Sequence, residues 1–86
     1  MPKIEIYTTA TCPFCDAAKN LLTTKNLAFT EIDASEATIR AAMVERAGAH
    51  NTTVPQIFIN DAHIGGCDNL YALEHAKELD ALLQKN

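Results

Sequence analysis

The segment from Lys3 to Cys15 reads KIEIYTTATCPFC, and its reading decides the fold. Ile4 and Ile6 alternate with Glu5 and Tyr7 among β-branched neighbours, which is the period of a strand. From Phe14 onward the apolar positions recur at Ala17, Ala18, Leu21 and Leu22, the spacing of one helix face. Pro13 suits the first turn of that helix, where its missing N–H would have no partner in any case. A strand over Lys3 to Thr8 therefore leads into a helix, and Cys12 and Cys15 stand where the helix begins.

Outward from this unit, Asn26 is the expected helix stop, and Ala28 to Ile32 reads as a second strand. Asp33 and Glu36 have the spacing of a capping box, Ile39, Ala42, Met43 and Ala47 outline a second amphipathic helix, and Gly48 is placed to end it. After the loop Ala49 to Thr53, Pro55 opens a third strand over Gln56 to Asn60. Asn60-Asp61 is a turn signal, and the chain returns through His63-Ile64 as a hairpin. Gly65-Gly66 breaks the hairpin, and Asp68 is expected to cap one last helix carrying Leu70, Leu73, Ala76, Leu79, Leu82 and Leu83. The order, βαβα followed by ββα, implies the α/β class: a parallel pair joined by a helix, an antiparallel hairpin, and a mixed four-stranded sheet flanked by helices.

With 86 residues the chain is expected to form a single domain, residues 1–86, burying about 60 to 65% of the surface its unfolded form exposes. Hydrophobic residues at 48% and charged residues at 21% are ordinary globular usage. The net charge of −4, with seven Lys and Arg scattered along the chain, argues against nucleic acid. No apolar run approaches the roughly 20 residues of a membrane span, and Met1-Pro2-Lys3 leads directly into a strand, so neither membrane nor export is expected. A cytoplasmic monomer is the expectation. Three cysteines make no even-numbered framework of structural bridges, so cysteine here points to chemistry or metal.

A C-x-x-C pair after a strand and at a helix start favours redox chemistry. Positions three apart on a helix have Cβ atoms about 5 to 6 Å apart, so a small adjustment of the first turn suffices to join the sulfurs. Closing so short a loop removes only about 2 kcal/mol of unfolded-chain entropy, which makes such a bridge a poor staple. The unpaired N–H groups and positive dipole end of the helix favour a thiolate at Cys12, with a pKa in the range of roughly 3.5 to 7.5 rather than about 8.5. Cys12 is then the nucleophile and Cys15, one turn inward, the resolving thiol. The alternative from another class is metal: zinc sites usually want four ligands, and Cys12, Cys15, Cys67 and His63 supply that number.

Two further segments carry open readings. Thr53-Val54-Pro55 is either a plain strand start or a cis proline that turns the Val54 backbone toward the cysteines, free to pair with an extended thiol peptide. Gly65-Gly66-Cys67-Asp68 is either a turn with an ordinary cap or a main-chain cradle for a carboxylate, with Asp68 also able to accept an ammonium group. Cys67 reads as a small apolar residue before a helix rather than a regulatory thiol. His50 and His75 have no partner pattern, and Lys19 reads as a solvated lysine outside the catalytic set.

Cys12-Pro13-Phe14-Cys15, Thr53 to Ile59 (TVPQIFI) and Gly65-Gly66-Cys67-Asp68 together resemble, in order and spacing, the small bacterial-type dithiol glutaredoxins, and the likeness covers essentially the whole chain. The resemblance implies a thioredoxin-like fold, a cis Pro55, and one groove that holds glutathione as co-substrate, with no bound cofactor or metal. The implied catalytic pair is Cys12 and Cys15, and the implied glutathione-binding set is Thr9, Phe14, Thr53, Val54, Pro55, Gly66, Cys67, Asp68 and Asn69. In that carry-over Phe14 forms an aromatic wall, the Val54 backbone pairs with the cysteinyl part of glutathione, and the Cys67 backbone with Asp68 holds its γ-glutamyl end. The implied partners are glutathione and disulfide-containing or glutathionylated proteins. The chain departs from the family at Thr9, where lysine is frequent, at Phe14, commonly tyrosine, at Asn69, often a second acid, and in the loop Gly48 to Asn51. A thioredoxin-like reductase without glutathione specificity typically carries Gly-Pro between its cysteines, and iron-sulfur carriers usually resemble a single-thiol Cys-Gly-Phe-Ser pattern; this chain has neither.

Overall fold

The structure, a computed structural model, describes residues 2–84. Its strands are β1 (Ile4–Thr8), β2 (Thr30–Asp33), β3 (Gln56–Ile59) and β4 (Ala62–Gly65), and its helices are α1 (Pro13–Thr24), α2 (Ala37–Ala47), α3 (Cys67–His75) and α4 (Leu79–Gln84). The strands form one mixed sheet in the order β2-β1-β3-β4, parallel between β1 and β2 and antiparallel across the other two pairs.

Strand alternation divides the core into two layers. Ile4, Ile6, Ile57 and Ile59 face Ala18 and Leu22 of α1, Leu70 of α3, and Leu79 and Leu83 of α4. The opposite face carries Tyr7 and Phe58, which pack with Ala34 and Met43 beneath α2. Helices thus cover both faces of the sheet, which is why Tyr7 is buried although it alternates out of register with the isoleucines. Arg46, in the last turn of α2, ties that layer down. Its guanidinium lies 3.9 Å from the centre of the Phe58 ring and donates to Glu5 at 2.6 Å and to the Tyr7 hydroxyl at 3.2 Å.

Several expected boundaries move, each for a local reason. Asn26 does end α1, in the left-handed region at φ 59°, but the Leu27 amide then bonds back to the Leu22 carbonyl. Leu27 and Phe29 pack on the core from that return, so β2 begins only at Thr30, opposite Glu5, and runs on to Asp33. The expected capping box at the start of α2 does not form: the cap is Glu36 without a side-chain bond, while Asp33 accepts from the backbone and hydroxyl of Ser35. These two bonds hold the Asp33 carboxyl below its ordinary pKa. The single last helix is two, because Lys77 takes a left-handed φ of 61° and the Glu78 amide closes onto the Leu73 carbonyl before α4 starts. Lys25 spans the break, pairing with Glu74 on α3 and Asp80 on α4, both at 2.9 Å.

The hairpin between β3 and β4 turns through Asn60 and Asp61, both at positive φ, as a two-residue loop of the mirror-image type requires. β3 accordingly ends at Ile59 instead of Asn60. Gly65 closes β4 at φ 119°, where a Cβ would run into the Asn69 side chain. Gly65→Ala is therefore expected to destabilise the fold by about 1 to 3 kcal/mol in chemical denaturation. An unchanged midpoint and slope would contradict that account.

Candidate active site

Backbone geometry at the start of α1 sets the chemistry of the cysteines. Cys12 is the extended residue before the first turn, at φ −137° and ψ 98°, and Pro13 is the first helical position. The Cys15 amide, which has no partner within the helix, donates to the Cys12 sulfur at 3.1 Å. A sulfur that accepts this bond at the positive end of a helix is better stabilised as an anion than as a thiol. Cys12 and Cys15 are joined as a disulfide with their Cα atoms 5.1 Å apart. Cys12 is 8% exposed and Cys15 not at all, so an incoming sulfur has access from the Cys12 side.

The loop before β3 supplies the opposite wall. Val54-Pro55 is a cis peptide, and the Val54 carbonyl oxygen lies 3.8 Å from the Cys12 sulfur. Of the two readings open for this proline, the turned backbone is the one observed. A groove of about 260 Å³ extends from here, lined by Phe14, Asn51, Thr53, Val54, Pro55, Gln56, Gly66, Cys67, Asp68 and Asn69. Phe14 forms its rim and at 64% exposure is, among the described residues, the large apolar side chain left open to solvent.

The far wall is the start of α3. Gly66, not Asp68, is its cap residue, and the Asn69 carboxamide oxygen reaches back to accept from the Gly66 amide at 3.0 Å. Asn69 lines the groove as expected, but its oxygen is committed to that bond, which corrects the capping role expected of Asp68. The Asp68 carboxylate remains exposed on the groove wall. Cys67 also lines the groove, yet its side chain belongs to the core with Leu70, and burial together with the neighbouring Asp68 charge raises its thiol pKa.

Of the implied glutathione-binding set, Thr9 is the residue that does not line this groove. It lines a separate cleft with Thr8, Ala10, Lys19, Glu31 and Asp33. Lys19 is not merely solvated there: its ammonium sits 2.9 Å from Glu31, which also accepts from the Thr8 hydroxyl at 2.7 Å. The Thr8 and Lys19 bonds lower the Glu31 pKa, and the Glu31 bond raises that of Lys19.

Among the described residues no group of three or more His, Cys, Asp or Glu could hold a metal ion, so Cys12, Cys15, Cys67 and His63 are not assembled into one site. Residues that sequence reasoning passed over also shape the groove. Asn51 donates to the Ala47 carbonyl at 2.8 Å, and Arg40 donates twice to the Thr52 carbonyl, at 2.9 and 3.2 Å, which anchors the loop leading to Pro55. Gln56 is the third, and its signal was available: a lone amide in a strand otherwise made of Ile57, Phe58 and Ile59.

A strand-helix cysteine pair facing a cis-proline loop across a mixed sheet with helices on both faces defines the thioredoxin-like thiol-disulfide oxidoreductases. Within that class the chain belongs to the glutaredoxin family, whose model, described as Glutaredoxin, matches residues 4–64. It is 52% identical over 84 residues to a glutaredoxin of Pseudomonas aeruginosa, an alignment covering 96% of this chain and 98% of that one. The solution structure of a glutaredoxin from Brucella melitensis superposes with a TM-score of 0.82 at 51% identity, covering 94% of this chain and 87% of the other. A buckwheat glutaredoxin-glutathione complex superposes at 0.84 with 26% identity, over 95% of this chain and 76% of that one.

After reduction, iodoacetamide trapping across pH, read by mass spectrometry, is expected to give Cys12 a midpoint below the roughly 8.5 of free cysteine. Cys67 should stay unmodified at neutral pH until the protein is unfolded. Rapid labelling of native Cys67 would contradict its placement in the core.

Proposed function

We propose that the protein is a glutathione-dependent oxidoreductase that reduces glutathione mixed disulfides and protein disulfides through Cys12 and Cys15, acting as a cytoplasmic monomer without a bound cofactor. The observation that carries this reading is the groove that runs from the Val54 backbone, whose carbonyl oxygen lies 3.8 Å from the Cys12 sulfur, to the N-terminus of α3. The glutathione complex of the buckwheat relative supports the ligand.

In this reading glutathione lies along the groove as a short extended strand. Its cysteinyl main chain pairs with the Val54 backbone, which a strand-like ligand can meet with matching N–H and C=O groups. Its γ-glutamyl carboxylate meets the amides of Cys67 and Asp68 at the start of α3, where first-turn N–H groups have no partner inside the helix. The ammonium of that same end faces the Asp68 carboxylate, and Phe14, Thr53, Pro55, Gly66 and Asn69 complete the walls. Thr9, lining a different cleft, is left out of the contact set.

Chemistry begins with the Cys12 thiolate attacking the glutathione sulfur of a mixed disulfide. The new Cys12-glutathione bond forms as the old S–S bond breaks, and the protein thiolate leaves to take up a proton. A second glutathione thiolate then attacks the glutathione sulfur, releasing oxidised glutathione and returning the Cys12 thiolate. With a protein disulfide as substrate, Cys12 forms a mixed disulfide with one sulfur. Cys15 attacks the Cys12 sulfur, releases the reduced protein, and leaves the Cys12-Cys15 disulfide. Two glutathione thiols regenerate the pair, at the cost of one oxidised glutathione formed.

The test is a coupled assay with glutathione, glutathione reductase and either a glutathionylated peptide or a protein disulfide. Cys12→Ser is expected to fall to background with both substrates. Cys15→Ser should keep most of its rate on the glutathionylated peptide and lose protein-disulfide reduction. Equal loss in both variants on both substrates would refute the assigned roles.

A further inference from the structure

Gln56 is a buried polar side chain whose two ends are both engaged. Only 3% exposed, it donates from Nε2 to the Thr53 carbonyl at 2.9 Å, while its Oε1 lies 2.7 Å from Nε2 of His63 on β4. A carbonyl oxygen only accepts, so the amide group facing Thr53 must be the NH2 and the oxygen must face His63. His63 then has to present an N–H there, which both its Nε2-protonated neutral form and its cation do. The ring is held for this by packing on Phe58, with centroids 5.1 Å apart.

The segment that this amide closes is the wall of the groove. Thr53, Val54, Pro55 and Gln56 are consecutive groove residues, and Pro55 offers no N–H with which the backbone could brace the turn. The Gln56 side chain substitutes for that missing bond. Flipping the amide would set its oxygen against the Thr53 carbonyl and its NH2 against the His63 N–H, two repulsions in place of two bonds.

We propose that His63 and Gln56 are positioning residues of the glutathione groove: His63 selects the amide orientation of Gln56, and Gln56 in turn holds Thr53 and the Val54 backbone in the pose that receives the substrate. This rests on the reading of the groove given above. Neither side chain exchanges protons or electrons with the substrate, so the effect falls on recognition of the glutathione moiety and not on the sulfur chemistry.

Two variants at the exposed His63 separate the hydrogen bond from the ring packing. His63→Phe keeps a ring against Phe58 and removes the N–H, whereas His63→Gln keeps an N–H and removes the ring. With the glutathionylated peptide, His63→Phe is expected to raise KM roughly three- to tenfold, about what one ordinary hydrogen bond is worth, with kcat within about twofold. His63→Gln should stay near the wild type. Gln56→Leu should match His63→Phe, and the double variant should be no worse than Gln56→Leu, since one residue acts through the other. In the free protein, the NMR order parameter of the Val54 amide should be lower in His63→Phe than in His63→Gln.

The inference is overturned if His63→Phe leaves KM and the Val54 order parameter unchanged, if His63→Gln is impaired as much as His63→Phe, or if the double variant is additive. Wild-type protein with no preference for the glutathionylated peptide over an unrelated mixed disulfide would overturn the groove assignment and this inference with it. A preference present in the wild type and intact in His63→Phe overturns this inference alone.

Discussion

Helix starts leave amide hydrogens without partners, and here one of them is given to a sulfur. The bond from the Cys15 amide to Cys12 makes a cysteine do what serine, threonine or aspartate commonly does at a cap. That role works only if the helix cannot slide. Ala18 and Leu22, one and two turns further on, are fully buried against Ile4 and Ile6 and fix its axial position. Through the same packing, β1 decides where the first turn sits relative to β3, and so where the Cys12 sulfur sits relative to the Val54 carbonyl. A cavity under Leu22 would be felt at the cysteines as a change of position, although the two do not touch.

The parts legible in the sequence are those governed by period and by residues with one conformational use. β1 and α1 follow from Ile4, Ile6, Ala18 and Leu22, and the hairpin turn from Asn60-Asp61. Periodicity is silent about tertiary competition, and that is where the differences lie. Leu27 and Phe29 are apolar enough for a strand, but they spend their side chains on the core before pairing with β1 begins. The run from Leu70 to Leu83 keeps its apolar face across Lys77, so the pattern alone shows one helix where the backbone makes two. At the start of α3, Asp68 and Asn69 are both good capping types, and their order relative to Gly66 decides between them.

For the site, the motif segments converge because each is tied to a strand or helix end, while Thr9, placed only by likeness to other chains, falls on the far side of β1's exit in a cleft of its own. Gln56 shows the opposite case. Its importance comes from a bond to a residue seven positions away on the next strand, and no local rule reports such a pairing. The layer under α2 behaves similarly: Arg46, Glu5, Tyr7, Phe58 and Asp61 come from four elements and turns, and only the folded sheet makes them neighbours.

Every open sheet ends in two rows of unsatisfied backbone groups, which invite a stranger's strand. In this sheet the outer members are β2 and β4. β2 is only four residues long and exposes the charges of Glu31 and Asp33, while β4 loses its even register with β3 between Ile57 and Phe58. Short, charged and irregular borders make poor templates. Borders of this kind shield the sheet from taking up a loosened segment of another chain as an added strand.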